Sequence, residues 1–189
     1  QELRKMDNKS WLLGTDLELA ETHMGADISN TAMGDLKEIS EELNLAQAIL
    51  HRLRTIRGEL SDIGHPDYGS NLYDLIGEPN NQITRDRLKT IVRTTIKEEP
   101  RIKEIVKIEV KSRLDILEKM GTTGDFTIKQ GLSRVDLRGQ DDGMNVPEGR
   151  SYAEDRRMLA TSVDVDITVI PIDSNVPLNI VFPFYLEGT

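Results

Sequence analysis

The sequence predicts an α+β domain with two main helices packed on a small mixed or antiparallel sheet. Three observations lead there. Leu43, Ala46, Leu50 and Leu53 recur at helical spacing, and so do Leu88, Ile91, Val92 and Ile96. Val106, Ile108 and Val110 alternate with Lys107, Glu109 and Lys111, and residues 163–169 alternate in the same way. The intervening stretch 58–83 is dense in turn residues.

Taken in order, residues 15–19 and 35–39 read as two short strands that pair across a long, polar loop. Ser40 stands at an N-cap position, with Glu41 and Glu42 in the first turn, where carboxylates complement the helix dipole. The first long helix is predicted over 41–57, with arginines in its last turns and Gly58 as its stop. Ser70 is placed to cap a short helix holding Leu72, Leu75 and Ile76. The second long helix is predicted from Thr84 to Glu99, because Pro100 disfavours helical geometry in the residue before it. The expected core between helices and sheet is Leu43, Leu50, Leu53, Leu88, Ile91 and Ile96. The last run, 178–186, carries Pro177 and Pro183, which a central strand does not tolerate. It is therefore expected at an edge, or leaving the sheet at Pro183. Residues 121–160 are rich in glycine and polar residues and read as an insertion in a single domain spanning 1–189. A small hairpin of 126–128 and 135–137 is predicted within it.

Composition narrows the function. With 24 Lys+Arg against 33 Asp+Glu, the net charge is −9, which disfavours nucleic acid and anionic membranes as partners. The absence of cysteine removes disulfides, cysteine metal sites and thiol catalysis. No apolar run reaches the length of a spanning helix, and no leader-like opening is read. His23, His51 and His65 lack metal-ligand spacing, and no nucleotide-binding or nucleophile-elbow motif occurs; neither a cofactor nor a metal is expected. Glu59 with Asp67, or Glu78 with Glu99, would be the carboxylate pairs of a glycosidase, but only their separation in space could define such a pair. The cluster Glu98-Glu99-Pro100-Arg101 stands apart. It lies where a helix must end and a strand begin, and the fixed φ of proline aims the side chains beside it.

Several short segments carry a resemblance in the right order: Gly14-Thr15-Asp16-Leu17, Gly34-Asp35-Leu36, Asn44-Leu45-Ala46-Gln47-Ala48-Ile49, Arg57-Gly58-Glu59-Leu60, Pro66-Asp67-Tyr68-Gly69-Ser70-Asn71-Leu72, Glu78-Pro79-Asn80 and Glu99-Pro100-Arg101-Ile102. Over 12–113 and 162–186 the chain resembles the gene-25-like baseplate wedge and sheath-initiator subunits of contractile tails, relatives of the type VI secretion subunit TssE. The resemblance implies a sheath-domain-like fold and a structural, non-enzymatic role in a virion tail baseplate assembled in the host cytoplasm, or in a contractile injection particle. It implies six copies around the tube, with the tail sheath protein, the wedge core-bundle subunits and the tail tube or hub as partners. Glu99, Pro100 and Arg101 would dock on the wedge bundle. Sheath subunits would add strands to an open sheet edge, with Val163, Val165, Ile167, Val169, Ile180 and Phe182 as the expected sheath-binding residues, and Asp164 and Asp166 protecting that edge beforehand. Compact members pass almost directly from the strand near 113 to that near 163, so 121–160 lies outside the family pattern. The competing readings are a tail-associated muralytic glycosidase and a stand-alone cytoplasmic adaptor.

Overall fold

The computed structural model describes residues 8–22, 25–113, 134–136, 160–172 and 174–186. Helix α1 (Asn8–Leu13) leads into strand β1 (Thr15–Leu17), which pairs antiparallel with β4 (Glu38–Ser40). This is the pairing expected across the long loop. The loop itself holds a second ladder, β2 (Leu19–Thr22) against β3 (Gly25–Ile28). Its alternation is too weak to read in sequence.

Helix α2 (Glu41–Arg54) follows at once. Ser40 holds the N-cap position, but its side chain makes no capping bond. Glu41 sits at φ 57°, and its amide donates instead to the Gly14 carbonyl (3.1 Å), so the neighbouring segment supplies the missing cap. The buried face of α2 is Leu45, Ala46, Ile49, Leu50 and Leu53. Leu43, expected in the core, is 47% exposed. Asn44 and Gln47, both buried, fix this rotation by hydrogen bonds with the main chain of Leu13, Leu17 and Leu19.

Beyond α2 the chain turns back on itself. The Ser70 hydroxyl donates to the Leu53 carbonyl (2.6 Å) and accepts from the Leu72 amide (3.3 Å), starting a 3-10 helix over Leu72–Leu75. This return brings Ser70 beside Ile56 in a parallel bridge. Gly69 makes the approach possible. Its φ is +108°, and an added Cβ would lie 2.7 Å from the Thr55 carbonyl oxygen. Helix α3 (Gln82–Lys97) is capped by Asn81, whose side chain accepts from the Thr84 amide at 2.9 Å.

The main sheet contains β5 (Ile102–Ser112), β6 (Arg134–Asp136), β7 (Ser162–Pro171) and β8 (Leu178–Tyr185) in the order β5-β7-β8-β6. The first two pairings are antiparallel and β8–β6 is parallel. The Phe126–Ile128 arm of the expected hairpin lies outside the described residues; Arg134–Asp136 pairs with β8. On β5 the register skips Lys103 and Val106, two bulged positions. They shift the alternation, so Ile105 and Ile108 face inward while Val106 is 53% exposed. The helices cover one sheet face, where Val163, Val165, Ile167, Val169, Ile180 and Phe182 join Leu88, Val92 and Ile96 in one core. The other face carries polar contacts, with Arg113 bonded to Asp164 (2.9 Å) and Asn179 to Asp166 (2.7 Å). Glu109 lies between Lys107 and Lys111, whose hydrogen bonds lower its pKa to about 2.

Asn80 closes the base of the sheet. Its amide donates to the Ala160 carbonyl (2.6 Å) and reaches Ser112 Oγ (3.5 Å), while its oxygen accepts from Arg85 (3.2 Å). The end of β5 and the start of β7 are thereby held side by side.

Two substitution pairs test this packing. Leu53→Ala should cost about 2–5 kcal/mol through lost transfer energy and a cavity. Leu43→Ala should change stability by no more than about 0.5 kcal/mol. Urea unfolding of both decides whether α2 is rotated as described, and comparable losses would contradict it. Gly69→Ala should cost at least about 3 kcal/mol, since its Cβ meets backbone that cannot move aside. Gly34→Ala, at φ +89° with nothing within 4 Å, should lose only the conformational part, about 1–2 kcal/mol. Equal shifts of the unfolding midpoint would show that the close approach at Gly69 is absent.

Candidate docking surface

The expected wedge-binding motif lies at the corner between α3 and β5. Helix α3 ends at Glu98, Pro100 is exposed in the turn, and Ile102 opens the strand. Glu99 folds back and is only 6% exposed. Its Oε1 accepts from Arg101 Nε at 2.7 Å, and the far end of the same guanidinium donates to the Leu13 carbonyl at 3.1 Å. Asn44 Nδ2 donates to that carbonyl too, at 2.8 Å. Glu99 and Arg101 thus hold the N-terminal segment against α2. Both are engaged in internal bonds, and Arg101 remains partly exposed. The fork of arginine suits the task, because it bonds two acceptors along one rigid plane.

A second layer of charge lies outside this brace. Arg52 Nη2 stands 3.9 Å from Glu99, and its Nη1 is 3.5 Å from Glu98. Glu98 is also bonded to Arg57 Nη1 at 2.9 Å, and Arg57 reaches Asp67 at 3.7 Å. The hydrogen bond that Arg57 donates to Glu98, followed by the charge of that carboxylate, raises the pKa of Arg57 and keeps it cationic. The Arg52 guanidinium lies over the Tyr68 ring, 4.6 Å from its centroid. Burial pushes the Tyr68 phenol up, with the Arg52 charge opposing it. Together with Gly64, His65 and Pro66 these side chains line an open cavity of about 550 Å³. The turn chemistry of 64–68 therefore lies beside the Glu-Pro-Arg motif, joined to it through Arg52, which reaches both the cavity and Glu99. In sequence the two are thirty residues apart, and only the order of the matching segments links them.

The carboxylates considered for glycosidase chemistry have other engagements. Glu59 accepts from the Ile56 amide (3.1 Å), Asp67 faces Arg57, Glu78 is bonded to Arg87 (2.9 Å) and Glu99 to Arg101.

The expected sheath-binding residues are placed differently from the expectation. Val163, Val165, Ile167 and Val169 are fully buried, on a strand paired along both sides by β5 and β8. Ile180 and Phe182 are also buried. Alternation marked them as inward-facing, and an inward face in this sheet is core. The β7 residues support the sheet and offer no open edge, whereas Phe182 has a buried side chain but lies on β8 past the last residue that β6 pairs. The sheet borders among the described residues are β5 on one side and, on the other, the short β6 and the part of β8 beyond Val181 that β6 does not cover. Pro183 lies in that uncovered part, opposite Asp164 of β7, consistent with the edge position its missing N–H requires.

Among solved structures, one from Geobacter sulfurreducens described as a proposed tail lysozyme is 22% identical. The likeness covers 77% of this chain and 91% of that one, with a TM-score of 0.47, and it carries no argument about activity. No curated protein matches the chain. Residues 14–117 match the family of contractile injection system sheath initiators. The matched span contains the Gly14 turn, the Asn44–Gln47 clamp, the Gly69 crossing and the Glu99–Arg101 brace, and it covers more than half of the 189 residues. The chain belongs to the contractile injection system sheath initiators.

Proposed function

We propose that this sheath initiator works as a two-sided adaptor in the baseplate, with the charged corner facing wedge subunits and the outer sheet edge receiving the sheath. The observation that carries the reading is the separation of brace from surface at that corner. Glu99 and Arg101 are spent on internal bonds, while Arg57, Glu98, Asp67 and His65 border an open cavity beside them. A wedge segment bearing both charge signs would exchange the solvent-exposed bonds of Arg57 and Glu98 for desolvated ones. Charge-assisted bonds at such an interface are strong, and truncating one partner typically costs about 2–5 kcal/mol of binding.

The edge assigned to the sheath is β5 from Lys107 to Ser112. This run is free of bulges, whereas the bulged positions at Lys103 and Val106 interrupt the ladder before it. Lysines along an edge hinder uncontrolled pairing with other copies. An incoming strand would add main-chain hydrogen bonds there. Val163, Val165, Ile167 and Val169 contribute by keeping β7 rigid behind the edge.

Arg57→Ala should leave melting of the isolated chain nearly unchanged and abolish pulldown by wedge subunits. Arg101→Ala should lower stability by about 1–3 kcal/mol, since it leaves buried Glu99 and the Leu13 carbonyl short of a donor. Arg101→Lys should rescue this only in part. If Arg57→Ala still binds wedge subunits at parental strength, the corner is not the docking surface. For the edge, a photo-crosslinker replacing Lys111 should link to the sheath protein in assembled particles. Links formed only from Tyr185 on β8 would move the sheath contact to the opposite border.

A further inference from the structure

The charge of the chain is strongly polarised. Residues 16–42 contain eight acids (Asp16, Glu18, Glu21, Asp27, Asp35, Glu38, Glu41 and Glu42) and one lysine, so 1 − 8 = −7 of the net −9 falls in this stretch. It forms the paired arm of β1 to β4 and the start of α2. Lys37 is held by Glu18 at 2.6 Å. Glu41 and Glu42 stand in the first turn of α2, where the helix dipole accounts for them. Asp16, Asp27, Asp35 and Glu38 are exposed and meet no cation among the described residues. The arm also exposes apolar side chains that its own ladders do not cover. Met33 is 94% exposed at the turn, Leu36 54% and Ile28 46%.

The opposite surface exists on the same chain. Helix α3 carries Arg85, Arg87, Lys89, Arg93 and Lys97 against Asp86 alone, so 5 − 1 = +4. Its outer side holds a groove of about 450 Å³ lined by Ile83, Asp86, Arg87, Thr90 and Ile91. Ile83 is 73% exposed, while Ile91 rests on the core and gives the groove an apolar floor. The arm is anchored near the α3–β5 corner by the Leu13 bonds, whereas Ile83 opens the other end of the helix, roughly 20 Å away at 1.5 Å per residue. One molecule cannot readily bring its own arm onto this groove.

We propose that the acidic arm of one copy docks on the outer face of α3 of the next, with Met33 seated in the Ile83–Ile91 groove and Asp35 and Glu38 meeting Arg93 and Arg87, the latter in exchange for its solvent-exposed pair with Glu78. An unbranched thioether fits an irregular, shallow apolar groove well. A second copy is the occupant because both halves of the complementarity, −7 on the arm and +4 on the helix, belong to this chain. The contact is heterologous, and contacts of that kind join copies head to tail and close into rings when the rotation allows. It uses neither the charged corner nor the β5 edge, so it is independent of the docking roles proposed above.

The test uses the full-length chain alone, by sedimentation velocity at low and at high salt. The parent should associate in a concentration-dependent way at low salt and dissociate as salt screens the charges. An arm variant (Met33→Asp with Glu38→Lys) and a helix variant (Ile83→Asp with Arg93→Glu) should each remain monomeric. All four positions are exposed, so folding should survive, which circular dichroism checks. Mixed together, the two variants retain one intact arm and one intact groove and should form a heterodimer that grows no further. A parent that is monomeric up to about millimolar concentration at low salt overturns the proposal. So does self-association that both variants retain, or a mixture that stays monomeric. Wedge pulldown of both variants should match the parent, and its loss would show that the arm faces a wedge subunit and not a second copy.

Discussion

The carbonyl of Leu13 is the point on which the architecture depends. It receives the Asn44 amide from α2 and the Arg101 guanidinium from the entrance to β5. Three parts of the chain distant in sequence are fixed by one buried acceptor. Gly14, at φ +74°, follows at once, and a Cβ there would lie 3.3 Å from the Asn44 amide nitrogen. The first residue after the carbonyl must therefore be small and left-handed. With the segment so placed, the Gly14 carbonyl caps α2 through Glu41, and Gln47 bonds Leu17 and Leu19 further along. The arm, the helix rotation and the charged corner all inherit their positions from this joint. A polar group buried here without its partners would cost more than most single apolar contacts return.

The corner shows how neighbouring charges divide between the framework and the surface. Glu99 is desolvated, so it needs Arg101 and the more distant Arg52 for compensation. Glu98, one residue earlier, remains about one-third exposed and shares Arg52 and Arg57. Adjacent carboxylates thus differ in depth while sharing Arg52. The inner one orders the framework and the outer one stays available at the surface. Arg52, stacked on Tyr68, joins the two layers.

Much of the fold was legible because burial leaves a period in the sequence. Leu50, Leu53, Leu88 and Ile96 were read as core and are core, and residues 163–169 alternate as their two faces require. Leu43 misled because it fits the helical period equally well, and only the tertiary bonds of Asn44 and Gln47 select the neighbouring stripe. Val106 misled because a bulge breaks the period without any residue that announces it. The short ladders of the arm are set by main-chain bonds between weakly patterned segments. At the surface site, the motif at 99–101 could be found from its order among matching segments. That Arg101 points inward to Leu13, 88 residues earlier, is a long-range fact that no local spacing encodes. The expected sheath residues illustrate the converse: alternation reveals which side chains face the core, but not which strand is outermost.

The Asn80 clasp has a practical consequence. Because Ser112 and Ala160 are held side by side by a residue from a third element, whatever chain runs between β5 and β7 has its two ends fixed at no expense to itself. Each doubling of such a loop adds only about 0.6 kcal/mol of closure entropy. Residues added outside the β6–β8 pairing therefore cost little stability, as long as that pairing and the joint at Leu13 are kept. The same property makes the site a natural port for carrying a foreign module, such as a fluorescent reporter, on every copy of the chain.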